Sequence, residues 1–599
     1  MVLLPKLAGP VCVLLLLSGC GLFTSEPGPG DALGDFLSKV ASGDTLGAAE
    51  LTDDPASAKD LLDKVRGALG ATGLTTSVDA VGDQSGATAP AEATLEWQLP
   101  NEHRWKYRTT VELRREADDW KVHWAPSVVH PKLGAQQSLG FAEARPALAP
   151  VLDRDGTALM SPETVVSVLL SPKEAGDLNA VATALAGALS RFDGKITAKT
   201  VADGAAAVPE GQSYLVAALR DADYQSVKPA IYELPGVRFT SQVSLLAPSR
   251  DYGSQVLPAI RKSVEDTVAG EAGFRVYTAN SSGQEVETLF DQQPEPAHAV
   301  PTTLSRRMQD AAEDALEPIA QPAMLVALKV GTGEVLAVAQ NGPADEQGAI
   351  ALTGQFPPGS TFKIVTAAAA MASGKANADS PLPCPARTTV DGRRIVPNDK
   401  EFDKGAVPLR TAFAFSCNTT FAQLAAELPA AALTEQAASF GLGVDFEIPA
   451  ITTITGSVPE ASDVVERAED GFGQGKVVAS PFGMALVAAT AAGGAMPTPT
   501  LMREQATKAD RQPPAPSTAV LEPLRAMMRE VVESGTATQL RDLGDVRGKT
   551  GTAQYGDGVN SHGWFVGYRG DVAFATLLLG ANASTPAVDA TGRFLRATG

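Results

Sequence analysis

The residues best suited to covalent chemistry lie in Phe356-Pro357-Pro358-Gly359-Ser360-Thr361-Phe362-Lys363. Pro and Gly halt the preceding chain, and the pattern predicts a helix that opens at Ser360 and closes near Gly374. Its body, 364–372, is apolar all round, as suits a helix through the centre of a domain. Ser360 and Lys363 stand three positions apart and so share one face. A serine hydroxyl needs a base, and a lysine ammonium with its free pKa of about 10.4 is not one. Burial at the end of an apolar helix, beside a second cation, lowers that pKa and frees the amine. The helix N-terminus also favours negative charge developing on a nearby oxygen. Taken alone, the pair better suits an N-capping serine and an exposed helix lysine.

Two further groups change the weight of that pair. Ser416-Cys417-Asn418 follows 56 residues after Ser360, and Gly548-Lys549-Thr550-Gly551-Thr552-Ala553 places Lys549 131 residues after Asn418. S-x-x-K, S-x-N and K-T-G in this order and at these distances resemble the signature of the penicillin-recognising serine acyltransferases. Other chemistries fit less well. The run up to Gly548-Lys549-Thr550 mimics a phosphate-binding loop, but Leu543 stands where its first glycine belongs. Neither a G-x-S-x-G elbow nor an H-E-x-x-H pair occurs, and the five His form no ligand cluster. His562, ahead of Gly563-Trp564-Phe565, reads as a structural residue at a turn into a strand. No metal and no cofactor is implied.

Most of the chain resembles a class B penicillin-binding protein with an NTF2-like N-terminal domain. Gly473-Gln474-Gly475, the Ala-rich helix after Pro481, and Gly535-Thr536-Ala537 occur in family order. The resemblance implies a peptidoglycan D,D-transpeptidase that cross-links stem peptides through a serine acyl-enzyme and is acylated by β-lactams. Ser360 would be the nucleophile and Lys363 its base. Ser416 would relay the proton to the leaving amine, and Asn418 would hold the donor amide and Lys363. Lys549 would supply positive charge, with Thr550, Gly551 and Thr552 at the substrate's terminal carboxylate. The backbone N–H groups of Ser360 and Thr552 would form the oxyanion hole. Two alternatives stay open: a D,D-carboxypeptidase or β-lactamase, since the motifs do not choose between water and an amine, and a penicillin-binding sensor or scaffold without turnover. The multi-domain length favours transfer, and a sensor would need a cytoplasmic signalling region, which is not expected before the signal or after Gly599. No glycosyltransferase region is expected either, which makes a separate membrane glycan polymerase a candidate partner.

The elements that must position these residues are legible in outline. The fold class is α+β and multi-domain. A signal is expected over 1–20, a tether over 21–30, an NTF2-like domain over 31–140, a pedestal or dimerisation domain over 141–300, and a transpeptidase domain over 301–599. Helices are expected near 32–42 and 57–69. Strands follow with Ala93, Leu95, Trp97 and Leu99 on one face, then Trp105, Tyr107, Val111 and Leu113, then Trp120, Val122 and Trp124. The stretch 119–133 is similar to the closing strand of an NTF2-like domain, and 152–156 to the start of a pedestal. In the last domain a helix over 304–316 precedes a hairpin over 324–338 around Gly331-Thr332-Gly333-Glu334. Strands near 545–553, 564–568 and 572–579 would complete an antiparallel sheet flanked by helices around the buried Ser360 helix.

Compartment and charge agree with this reading. Lys6 precedes an uncharged, Pro/Gly-interrupted run over 7–23, and Leu17-Ser18-Gly19-Cys20 resembles a bacterial lipobox, with Cys20 as the lipid attachment site. The alternative is an uncleaved anchor helix; either places the rest on the extracytoplasmic face of the cell membrane. Of the four Cys, Cys12 and Cys20 belong to the signal, and the other two, Cys384 and Cys417, could form a disulfide or remain two buried thiols. With a net charge of −20 and no basic stripe, the chain is a poor partner for nucleic acid.

Overall fold

The computed structural model describes residues 27–556 and 558–599. The lipobox and Cys20 therefore lie outside the described residues. The chain forms two compact units, and neither is continuous: 27–146 joins 271–295, and 147–270 joins 296–599.

In the first unit, helix Pro29–Ser42 begins inside the stretch read as a tether, because Pro29 occupies the first turn, where its missing N–H costs nothing. Helices Thr45–Glu50 and Pro55–Leu69 follow, each with an Asp side chain capping its first turn. They cover an antiparallel sheet of four strands, Gly73–Val81, Thr88–Gln98, Arg104–Glu116 and Asp119–Val122. The first of these was not expected, because Gly73–Val81 is mostly exposed and polar and shows no apolar alternation. Trp97 pairs with Trp105 across the second and third strands. Trp97 Nε1 donates to Tyr107 Oη at 3.1 Å, and that hydroxyl donates to Val129 O at 2.6 Å. The expected closing strand over 119–133 is strand only as far as Val122 and then turns through Pro126–Val128. The unit closes elsewhere. Ser138–Ala144 pairs with Gly273–Ala279, which pairs with Glu285–Gln292, and Phe274 and Val276 enter the same apolar core as Trp97 and Trp105.

A continuous pedestal over 141–300 is thus not what the chain builds, since its final hairpin belongs to the first unit's core. What remains, 147–270, lies in one compact unit with 296–599. Its strand Ala158–Leu170 is flanked by Tyr214–Arg220 and Val237–Leu246. Helices Leu178–Leu189, Ala198–Ala207 and Asp221–Ile231 give this lobe a core of its own.

The rest of the second unit is organised by an antiparallel five-stranded sheet. Its order is Val335–Gln340, Ala323–Lys329, Val572–Leu578, Asn560–Arg569, Val546–Tyr555, which leaves the last strand at the edge. Helices Arg306–Leu316 and Thr585–Thr598 pack on it, as does the almost wholly buried helix Pro481–Gly493. The hairpin at 331–334 and the turn at Gly570 (φ 59°) are as expected. Helix Lys363–Ala372 is buried from Lys363 through Ala370. It differs from expectation at its start: Ser360 lies in a 3-10 turn, Gly359–Phe362, that leads into the α-helix. Residues three apart eclipse in a 3-10 turn, which brings the Ser360 and Lys363 side chains closer than α geometry does.

Candidate active site

Three separate segments converge on one point. The turn at Gly359–Phe362 supplies Ser360, the junction of helices Leu409–Ala414 and Asn418–Ala426 supplies Ser416 and Asn418, and the edge strand Val546–Tyr555 supplies Lys549. Lys363 is fully buried, and its Nζ lies 3.0 Å from Ser360 Oγ, 2.8 Å from Ser416 O, 3.2 Å from Ser416 Oγ and 2.7 Å from Asn418 Oδ1. Lys549, equally buried, donates to Ser416 Oγ at 2.9 Å and to Thr550 O at 3.1 Å. Ser360 itself is half-buried.

The electrostatics follow from burial. Every polar partner of Lys363 is neutral, and the rings of Phe421 and Phe413 stand 5.5 and 5.6 Å from the two ammonium nitrogens. Burial, together with Lys549, holds Lys363 well below the ordinary lysine range, and burial pushes Lys549 down to about 7. Lys363 is lowered by burial and by the neighbouring Lys549, and Lys549 by burial alone, which favours Lys363 as the neutral amine of the pair. A neutral amine has two N–H donors and one lone pair. Ser416 O and Asn418 Oδ1 can only accept, so they take the two donors, and the lone pair is left to face a hydroxyl. Ser360 Oγ is the nearer one.

Local backbone constraints hold this geometry. Ser416 adopts φ 65°, a left-handed conformation that costs a non-glycine residue about 1–3 kcal/mol. It is pinned on one side by Lys363 and Lys549 and on the other by Cys417, which is joined in a disulfide to Cys384. Asn418 is oriented by donating Nδ2–H to Pro397 O at 3.2 Å. Gly359, at φ 52°, lies so close to the edge strand that a Cβ would stand 2.6 Å from Thr552 O. Trp564 Nε1 donates to Pro357 O at 3.0 Å and steadies the same turn.

The remaining candidates divide. Thr550 is 3 % exposed, and its hydroxyl meets Thr536 Oγ1 at 2.6 Å, so Thr536 takes up the hydroxyl expected to hold substrate. Thr552 is half-buried, and Gly551 is packed against Thr361 and Pro358, where a Cβ would come within 2.8 Å. Thr536 is not among the expected site residues, although Gly535-Thr536-Ala537 stands in family order. His562 lies within its strand, its Nδ1 accepting from Gly580 N at 3.3 Å, and burial holds it down at about 4. Among the described residues no cluster of His, Cys, Asp or Glu could hold a metal ion, and no helix is long and apolar enough to cross a membrane.

The chain matches the family profile of the penicillin binding protein transpeptidase domain over 323–593 and that of the NTF2-like N-terminal transpeptidase domain over 28–137. It is 27% identical over 353 residues to the peptidoglycan D,D-transpeptidase PbpA of Mycobacterium tuberculosis, covering 51% of this chain and 70% of that one. It is 25% identical to the peptidoglycan D,D-transpeptidase FtsI of Escherichia coli K12, over 72% of this chain and 78% of the relative. It is 26% identical to the stage V sporulation protein D of Bacillus subtilis, over 68% and 69%. A solved complex between a penicillin-binding protein (PBP2) and MreC from Helicobacter pylori shares the fold, with a TM-score of 0.57, 18% identity and coverage of 76% of this chain and 98% of that one. With both profiles falling on the units that carry the expected elements, the chain belongs to the class B penicillin-binding proteins that bear an NTF2-like domain ahead of the transpeptidase domain.

Proposed function

We propose that the protein is a serine D,D-transpeptidase of peptidoglycan, with Ser360 as nucleophile. The observation that carries this reading is the buried Lys363 amine, within 3.2 Å of Ser360, Ser416 and Asn418 with neutral partners throughout. Ser360 Oγ attacks the carbonyl carbon between two D-alanines, and its proton passes to the Lys363 lone pair. The tetrahedral oxyanion is stabilised by the N–H groups of Ser360 and Thr552, worth about 3–4 kcal/mol per donor in hydrolases of this logic. Collapse breaks the C–N bond, and the proton on Lys363 travels through Ser416 Oγ to the departing D-alanine amine. Lys549 keeps that hydroxyl oriented and offers its charge to the terminal carboxylate, with Thr552 beside it and Thr550 held by Thr536. An amine of a neighbouring stem peptide then attacks the ester. It loses a proton along the reverse route, forms the new amide, and returns Ser360 to its hydroxyl form. A β-lactam enters as a donor mimic and stays as an ester on Ser360.

The relatives named as D,D-transpeptidases support this reading. A lipid on Cys20 would hold the protein at the outer face of the membrane, with a separate membrane glycan polymerase as a candidate partner. The test is intact-mass spectrometry of the soluble body after incubation with labelled penicillin, wild type beside Ser360→Ala. A lasting adduct that the variant lacks is the expected result. Rapid drug consumption without an adduct would point to a hydrolase, and no reaction with either penicillin or a D-Ala-ended thioester would overturn the assignment.

A further inference from the structure

The loop that follows helix Val464–Asp470 runs alongside the Ser360 turn, and an ionisable residue is buried at its root. Asp470 is 1 % exposed. Its Oδ1 accepts from Lys476 N at 2.7 Å, closing the 471–475 stretch into a tight loop against the helix end. Gly475 lies so near this carboxylate that a Cβ would stand 2.1 Å from Oδ1. Asp470 O also accepts from Gly473 N at 2.9 Å, so side chain and backbone of one residue shape both arms of the loop.

The loop's tip reaches the catalytic turn. Gly473 O accepts the N–H of Gly359, the residue before Ser360, at 2.9 Å. Gly473 has φ 76°, and a Cβ there would stand 2.1 Å from Gly359 O, so the two backbones touch. Thr366, on the helix that carries Lys363, donates Oγ1–H to Gly471 O at 2.7 Å, and Phe356 and Ala479 exchange both backbone bonds at 2.9 and 3.0 Å. The 471–479 stretch is thus tied to the Ser360 segment before the serine, at Phe356 and Gly359, and after it, at Thr366.

We infer that Asp470 is a positioning residue for Ser360, its buried carboxylate fixing the loop whose Gly473 carbonyl sets the backbone immediately before the nucleophile. A carboxylate at this depth is unfavourable by itself: burial raises its pKa to about 6, with Glu466 adding to the rise and Lys476 opposing it. Its compensation is the set of backbone N–H groups it organises. Misplacing a nucleophile by about 1 Å is enough to slow attack by about two orders of magnitude.

The inference rests on Ser360 being the nucleophile, so its test has two arms. Asp470→Ala and Asp470→Asn are compared with wild type by the rate of acylation with labelled penicillin and by hydrogen exchange of the peptide spanning 356–363. In Asp470→Ala the acylation rate should fall about 10- to 100-fold while the final adduct still approaches one per chain, and exchange at Gly359 should rise about tenfold or more. Asp470→Asn keeps an acceptor oxygen and should stay within about threefold of wild type. If Asp470→Ala does not fold, Gly475→Ala applies the same displacement by pressing on the carboxylate. Unchanged exchange at Gly359, or a rate loss equal in Asn and Ala and accompanied by exchange rising throughout the domain, would overturn the inference. If the wild type takes no label, the nucleophile assignment falls, and the exchange arm alone decides whether Asp470 holds the turn.

Discussion

Lys363 and Asn418 make the most direct residue-scale test. Asn418→Ala frees one Lys363 N–H, so the lone pair is no longer forced toward Ser360, and acylation should slow about 10- to 100-fold. Asn418→Asp instead places a carboxylate where Oδ1 now stands, 2.7 Å from the amine. An opposite charge at that distance raises the Lys363 pKa, and the protonated amine is no base. Its acylation rate should be lost at neutral pH and recover at higher pH, a displaced profile that stopped-flow acylation would read. Lys549 bears on stability as well as on chemistry. Its folded pKa of about 7 lies below the unfolded value of 10.5, so between those limits the unfolded chain binds the extra proton. Stability contributed by this site therefore rises with pH from about 7 toward 10.5. Thermal unfolding of Lys549→Met should lack that part of the wild-type increase.

At the scale of elements, the junction between helices Leu409–Ala414 and Asn418–Ala426 must hold Ser416 in a left-handed conformation, and the Cys384–Cys417 disulfide anchors it to strand Pro381–Cys384. Both sulfurs are buried beside Ala412, with Phe402 and Val407 packed against them. The bridge closes a loop of 33 residues, and removing it with Cys384→Ala/Cys417→Ala should cost about 2–4 kcal/mol in urea unfolding. Acylation should fall in the same variant, because Ser416 loses the tether on its C-terminal side while the Lys363 contacts remain. Equal acylation rates with and without the bridge would show that the two lysines alone hold the junction.

For the whole molecule, the chain order of the two units matters. The hairpin Gly273–Gln292 completes the first unit's core through Phe274 and Val276, which are 2 % and 0 % exposed. A fragment ending at Pro146 leaves that core open, at a loss of about 3–6 kcal/mol for the two side chains. It should melt at least about 10 °C below a fragment in which 271–295 is rejoined to 146 by a short linker, as circular dichroism would record. Equal melting temperatures would mean that the helices and the four-stranded sheet suffice.

The amino-acid sequence alone makes the three motif groups and their order legible, because a nucleophile, its base and a cation require particular residue types, and spacing along a chain can be read without its fold. It also determined the Trp-rich strands at 93–99 and 105–113, whose strict alternation reflects one buried face. Whatever rests on contacts between distant residues emerges only in the folded chain. Nothing local in Gly273–Gln292 says that it pairs with Ser138–Ala144, and the polar strand Gly73–Val81 is a strand because Thr88–Gln98 offers it an edge. Pairing of Cys384 with Cys417 depended on where two segments meet, and so did the turning of Thr550 toward Thr536. Asp470 looks like any helix-end acid in the sequence. Burial against a loop that touches Gly359 is what gives it a role, and burial is a property of the folded whole.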